Sequence, residues 1–179
     1  MREKWYAYAA ALGVPVVYYG VSIVLGNVTF TGEALGAAAA YFPWTLLQGG
    51  LEEVGWRWYL QPRLNVKNSY LLKLLVLSVI WFVWHFPIYR LPWVTTASSN
   101  YLIFYLLILG NTFTLGAVRE LSRGSIPCIL AHMLVDTGAF LLLVDSTLYK
   151  IIALVVVEIL ISVVVIQVFR KKQFAFFSK

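Results

Sequence analysis

Charged positions are so sparse along this chain that the runs between them are its first structural signal. No charge falls between Lys4 and Glu33, between Glu33 and Glu52, or between Arg90 and Arg119. Each run approaches or exceeds the ~20 apolar residues that carry a helix across a ~30 Å hydrocarbon layer. Read against their turn-forming interruptions, the apolar stretches predict about six helical spans, at residues 5–25, 33–64, 70–88, 101–118, 125–144 and 148–169. The second is long enough to pass the bilayer surface. Pro43 and the pair Gly49 and Gly50 interrupt it, and such residues kink a membrane helix or admit a close neighbour. The linkers carry turn chemistry: Asn65 and Asn68 after Pro62, Pro87 and Pro92 after the third span, and Arg123, Gly124 and Ser125 before the fifth. The first run exceeds the roughly 7–15 apolar residues of a secretory leader and no small-x-small site follows, so it reads as a retained helix. No repeat or low-complexity stretch divides the chain. The expectation is one integral-membrane domain over residues 1–179, an all-α multi-span bundle whose polar motifs fall in residues 40–140.

Composition agrees. Hydrophobic residues make up 61% of the chain and charged residues 12%, against about 45–50% and about 25% in soluble domains. The net charge of +6 gathers at span ends and at the tail (Arg170, Lys171, Lys172, Lys179), as topology requires, so nucleic acid is not an expected partner. Arg57, Arg63, Lys67, Lys73, Arg119 and Arg123 cluster on one set of connections. The opposite set holds only Arg90 and Lys150. The positive-inside bias, with Arg2 and Lys4, places both termini in the cytoplasm of a multi-pass cell-membrane protein. A single cysteine, Cys128, excludes an internal disulfide.

Ionisable groups inside a bilayer cost about 2.5–3.5 kcal/mol each even on the lenient scale, so the exceptions mark where chemistry belongs. They are Glu52, Glu53 and Arg57 in span two, His85 in span three, His132 and Asp136 in span five, and Glu158 in span six. Glu53 and Arg57 are i,i+4 and can pair, which also makes the helix cheaper to insert, while Glu52 lies about 100° round and is left free. His132 and Asp136 are i,i+4 as well. At 1.5 Å per residue from the cytoplasmic span ends, Glu52 lies ~18 Å deep, His85 ~22 Å and His132 ~14 Å. Three helices thus bring polar groups into one layer. Desolvation makes a carboxylate a stronger general base for water, an imidazole can relay the proton, and a second polar pair can stabilise an oxyanion. Proton-coupled transporters also keep Glu and His at this depth, so depth alone leaves both readings open.

The residues around these groups add a resemblance. Residues 52–64, from Glu52-Glu53 through Arg57 to Pro62-Arg63-Leu64, resemble the EExxxR motif of the CAAX protease and bacteriocin-processing family (CPBP, also called Abi). Trp81 to His85 resembles its FxxxH motif, with Trp81 where the motif has Phe. His132 to Asp136, preceded by Arg123-Gly124-Ser125-Ile126-Pro127, resembles HxxxN or HxxxD. The resemblance implies an intramembrane endopeptidase acting on a membrane-bound peptide or protein in the lipid bilayer: a CAAX-type, bacteriocin-like or C-terminal sorting segment. It implies that Glu52 activates water, His85 assists as acid or base, and His132 with Asp136 stabilises the oxyanion, with Glu53 and Arg57 in support. Asp136 stands where the prenyl proteases have Asn, so it must be protonated or act by orienting His132. About six spans is fewer than the eight of those proteases.

Other readings remain beside this one. The same cavity could hold a peptide without cleaving it, as an immunity protein would. Cys128 is i,i+4 with His132 and could serve a sortase-like transpeptidase, against its ordinary role as a small buried apolar residue. No cofactor is expected, with zinc on Glu52, His85 and His132 as the runner-up. Glu158 has no motif around it. Trp5, Tyr41, Trp44, Trp56, Trp58, Trp93 and Tyr101 read as an interfacial aromatic belt.

Overall fold

The computed structural model describes residues 3–87 and 100–177, with side chains as far as Phe169. Arg2, Ile88, Arg90, Pro92, Trp93 and Lys179 lie outside the described residues, as do the side chains of Arg170, Lys171 and Lys172. In chain order the elements are α1 (Trp5–Val24), β1 (Val28–Phe30), α2 (Leu35–Thr45), two π-helical segments (Leu46–Gly50 and Val54–Leu60), α3 (Gln61–Arg63), α4 (Tyr70–Trp84), α5 (Tyr101–Leu121), α6 (Ile126–Leu141), β2 (Leu142–Val144) and α7 (Leu148–Phe177). The protein is helical and membrane-like. Among the described residues, three helical stretches are long and apolar enough to cross a bilayer: Trp5–Val24, Tyr101–Leu121 and Leu148–Phe169. The helices Tyr70–Trp84 and Ile126–Leu141 are apolar but shorter, reaching about 22–24 Å at 1.5 Å per residue.

Helix α5 is the hub. It packs on α1, α4, α6 and α7, and 56% of its span is buried against 33% for α1 and α7. Small residues make this possible, because without a side chain the backbones approach closely. A Cβ on Gly116 would lie 2.8 Å from Leu74 Cδ2 of α4, and one on Gly110 would collide with the Glu158 carboxylate of α7. Asn100 caps α5 by accepting from the amides of Leu102 and Ile103, and Ser69 caps α4 by accepting from Leu72. The outer faces stay apolar: Leu12 and Val16 on α1, Val79 and Val83 on α4, and Val156, Leu160 and Val164 on α7 are all exposed. Continuous apolar cover of this kind suits lipid.

Two features depart from the spans read in the sequence. The stretch assigned to a fifth span through residue 144 leaves the helix at Leu141, and Leu142–Val144 pairs antiparallel with Val28–Phe30 in the register Val28↔Val144, Thr29↔Leu143, Phe30↔Leu142. Gly26 at φ 59° and Gly32 at φ 83° turn the chain on either side of β1. Asp145 fastens it: its carbonyl accepts from Asn27 Nδ2 and its carboxylate from Thr29 Oγ1. The second departure lies within the long second run, which is not uniform α-helix. Leu51 N–H donates to the Leu46 carbonyl five residues back, at 2.8 Å, so the helix widens either side of Glu52 and Glu53.

Candidate active site

The widened turns and their glycines set the site. Gly49 and Gly50 face α6 so closely that a Cβ on Gly49 would lie 2.5 Å from Asp136 Oδ2 and 2.7 Å from His132 Nε2, and one on Gly50 would lie 2.9 Å from Met133 Cγ. The glycine pair therefore admits the helix that carries His132 and Asp136. Local widening of a helix to the π form recurs where side chains are re-aimed for function.

Glu53 and Arg57 are fully buried and paired, Arg57 Nε donating to Glu53 Oε2 at 2.8 Å. The other oxygen, Oε1, lies 2.9 Å from His132 Nδ1. A carboxylate only accepts, so Nδ1 carries a proton and Nε2 is the nitrogen aimed at Asp136, 3.7 Å from its Oδ1. Arg57 reaches further through Nη1, to Gln61 Oε1 at 3.3 Å and the Thr112 carbonyl at 3.5 Å. Gln61, also fully buried, donates to the Gly116 carbonyl and to Glu120. The buried ion pair is thus tied to α5 on one side and to the α6 imidazole on the other. Sequence reasoning did not single out Gln61, although its i,i+4 spacing from Arg57 was the available signal.

Glu52 is not free, as its angular separation from Arg57 suggested. Its Oε2 accepts from Trp56 Nε1 at 3.1 Å and from Trp81 Nε1 at 3.0 Å. Among the described residues Oε1 has no protein donor. Glu52 borders a groove of about 450 Å³ lined by Leu51, Gly55, Trp56, Tyr59, Leu60 and Trp84. Leu51, Tyr59 and Trp84 are exposed, so the groove opens on the outer face between the second π segment and α4. Trp56 is therefore a ligand of Glu52 and leaves the interfacial belt. Trp5, Trp44, Trp58 and Tyr101 remain exposed.

His85 closes α4. Its Nδ1 lies 2.7 Å from the Trp81 carbonyl, and since a carbonyl accepts, Nδ1 donates and the neutral ring keeps its lone pair on Nε2. Among the described residues His85 makes no hydrogen bond to Glu52 or His132. The three meet through Trp81, whose ring stands edge-on to His132 at 5.5 Å and 5.9 Å from the His85 ring.

Among the described residues no three His, Cys, Asp or Glu side chains are grouped to hold a metal ion. The zinc alternative on Glu52, His85 and His132 is corrected on that ground. Glu52 Oε2 is taken by two indoles, and each imidazole Nδ1 by its own acceptor. Cys128 is buried in the apolar core with Ala131, Leu115 and Val118, its thiol directed at the Leu115 carbonyl. That is the surrounding of a packing residue. Glu158 is fully buried on α7 with neither carboxylate oxygen hydrogen-bonded among the described residues.

One family model matches the chain: type II CAAX prenyl endopeptidase Rce1-like, over residues 34–138. No curated protein and no solved structure matches it.

Proposed function

The chain belongs to the type II CAAX prenyl endopeptidase Rce1-like family, and on that premise we propose that it is a multi-pass intramembrane endopeptidase in which Glu52 activates water against a peptide bond of a membrane-associated substrate. About six passes, with both termini cytoplasmic, fit the loop charges. The substrate enters from the lipid along the groove beside Glu52. Glu52 Oε1 takes the proton of the attacking water and hands it, through a bridging water, to the lone pair on His85 Nε2, which then delivers it to the leaving amine. His132, fixed by Glu53 at Nδ1, offers Nε2–H to the tetrahedral oxyanion. Asp136 stands 3.7 Å from that same nitrogen, so its part is to attract the imidazole electrostatically and keep it turned until the oxyanion forms. Glu53 and Arg57 keep His132 in place and never touch substrate.

One observation carries this reading: a carboxylate held through a single oxygen beside an apolar groove, by an indole that also packs against both imidazoles. The test uses the full chain in proteoliposomes, with a farnesylated CAAX peptide and an unprenylated apolar peptide as probes, in ¹⁸O-labelled water. Hydrolysis by activated water puts one ¹⁸O into the new carboxylate of a cleaved probe, and the two probes separate a prenyl requirement from general peptide cleavage. Binding of both without cleavage of either would instead point to a peptide-holding protein.

A further inference from the structure

Trp81 touches four polar residues of the site: Glu52, His85, His132 and Arg57. Its indole N–H donates to Glu52 Oε2 at 3.0 Å, and its carbonyl accepts from His85 Nδ1 at 2.7 Å. The ring meets His132 edge-on at 5.5 Å and lies 5.4 Å from the Arg57 guanidinium. It is 4% exposed, so water does not compete for these contacts. Trp56, one turn along from Glu52, places a second indole N–H on the same carboxylate oxygen at 3.1 Å. A phenyl ring at position 81 would fill only part of this space and donate nothing, so the hydrogen bond is a property of tryptophan here.

We propose that Trp81, together with Trp56, is a positioning residue that clamps Oε2 of Glu52 and so dedicates Oε1 to the attacking water. A carboxylate with two free oxygens can rotate about its terminal bond and present either one. Two donors from different helices fix that rotation and leave the other oxygen without a protein donor among the described residues. This rests on the reading of Glu52 as the base. A charge-assisted hydrogen bond lost from a reacting group slows the step roughly tenfold to a hundredfold. Substrate binding in the groove does not involve the buried indole, so KM is spared.

The experiment compares Trp81→Phe, Trp56→Phe, Glu52→Gln and the exposed Trp44→Phe with wild type, as full chains in proteoliposomes, on whichever of an internally quenched farnesylated CAAX peptide or its unprenylated counterpart the wild type cleaves. The expected result is a kcat lowered roughly tenfold or more in Trp81→Phe and in Trp56→Phe, with KM within about twofold in Trp81→Phe and Trp44→Phe unchanged; Trp56 also lines the groove, so its variant is read on kcat alone. A Trp81→Phe enzyme with wild-type kcat, or one whose KM rises while kcat holds, overturns the clamp. Should Trp81→Phe fail to fold, Trp56→Phe carries the kcat criterion, and a wild-type kcat there overturns the clamp. Normal turnover by Glu52→Gln, or no cleavage of either peptide by the wild type, instead defeats the underlying reading of the site, so the two failures are separable.

Discussion

Nδ1 of His132 stands 2.9 Å from Oε1 of Glu53, whose other oxygen is held by Arg57 at 2.8 Å. Glu53 thus serves two masters: it neutralises a buried guanidinium and turns an imidazole. Removing one member of a fully buried pair leaves the other charge uncompensated, at a cost of about 3–5 kcal/mol. Glu53→Ala is expected to lower the unfolding midpoint in detergent accordingly. Glu53→Leu combined with Arg57→Met recovers most of the stability, because both charges leave together, yet stays inactive because His132 has lost its acceptor. Recovery of turnover along with stability would show that the pair serves folding alone.

Gly49 separates packing from chemistry. A Cβ there would lie 2.5 Å from Asp136 Oδ2 and 2.7 Å from His132 Nε2, closer than real contacts allow. Gly49→Ala should therefore displace the imidazole and cut turnover by roughly tenfold or more, since misplacement by about 1 Å costs up to a hundredfold. Gly50→Ala meets Met133 Cγ at 2.9 Å and the apolar Ile129 and Leu46 at 3.3 Å instead, none of them a site residue, and should cost less turnover. Steady-state kinetics on the two variants decides it, and equal losses would contradict the assignment.

Glu158 makes the opposite prediction. Its oxygens are buried without a hydrogen-bond donor among the described residues, and it faces Gly110 across the α5–α7 interface. An unsatisfied buried polar group costs about 1–3 kcal/mol, so Glu158→Met should raise the unfolding midpoint and leave turnover unchanged. Lost activity in a folded Glu158→Met protein would give this carboxyl a role in the reaction.

Metal and thiol chemistry are tested together. With no three-ligand grouping among the described residues and Cys128 enclosed in the core, cleavage should survive both a strong chelator and Cys128→Ala. Inhibition by the chelator, reversed by added zinc, would reinstate a metal site.

What the sequence disclosed follows from what helical spacing can encode. The pairing of Glu53 with Arg57 and the approach of His132 to Asp136 were legible because i,i+4 neighbours share a face. The glycines at 49 and 50 announced a close neighbour, which α6 proves to be. The bond from Trp56 to Glu52 obeys the same spacing but was hidden by reading Trp56 as an interfacial anchor. Which side chains then meet across two helices leaves no such mark. The indole of Trp81 on Glu52, the hydrogen bond between Glu53 and His132 and the pairing of β1 with β2 depend on tertiary approach. Nor does apolar periodicity distinguish α from π turns, so the widening around Glu52 was invisible.

The central claim is that Glu52 is the base that activates water. Its most direct test is the turnover of purified Glu52→Gln in proteoliposomes, measured beside wild type on the peptide that wild type cleaves. The amide keeps the shape of the side chain and removes its basicity, so the account predicts an unchanged unfolding midpoint and a kcat lower by at least roughly a thousandfold. Cleavage by Glu52→Gln at the wild-type rate would contradict it.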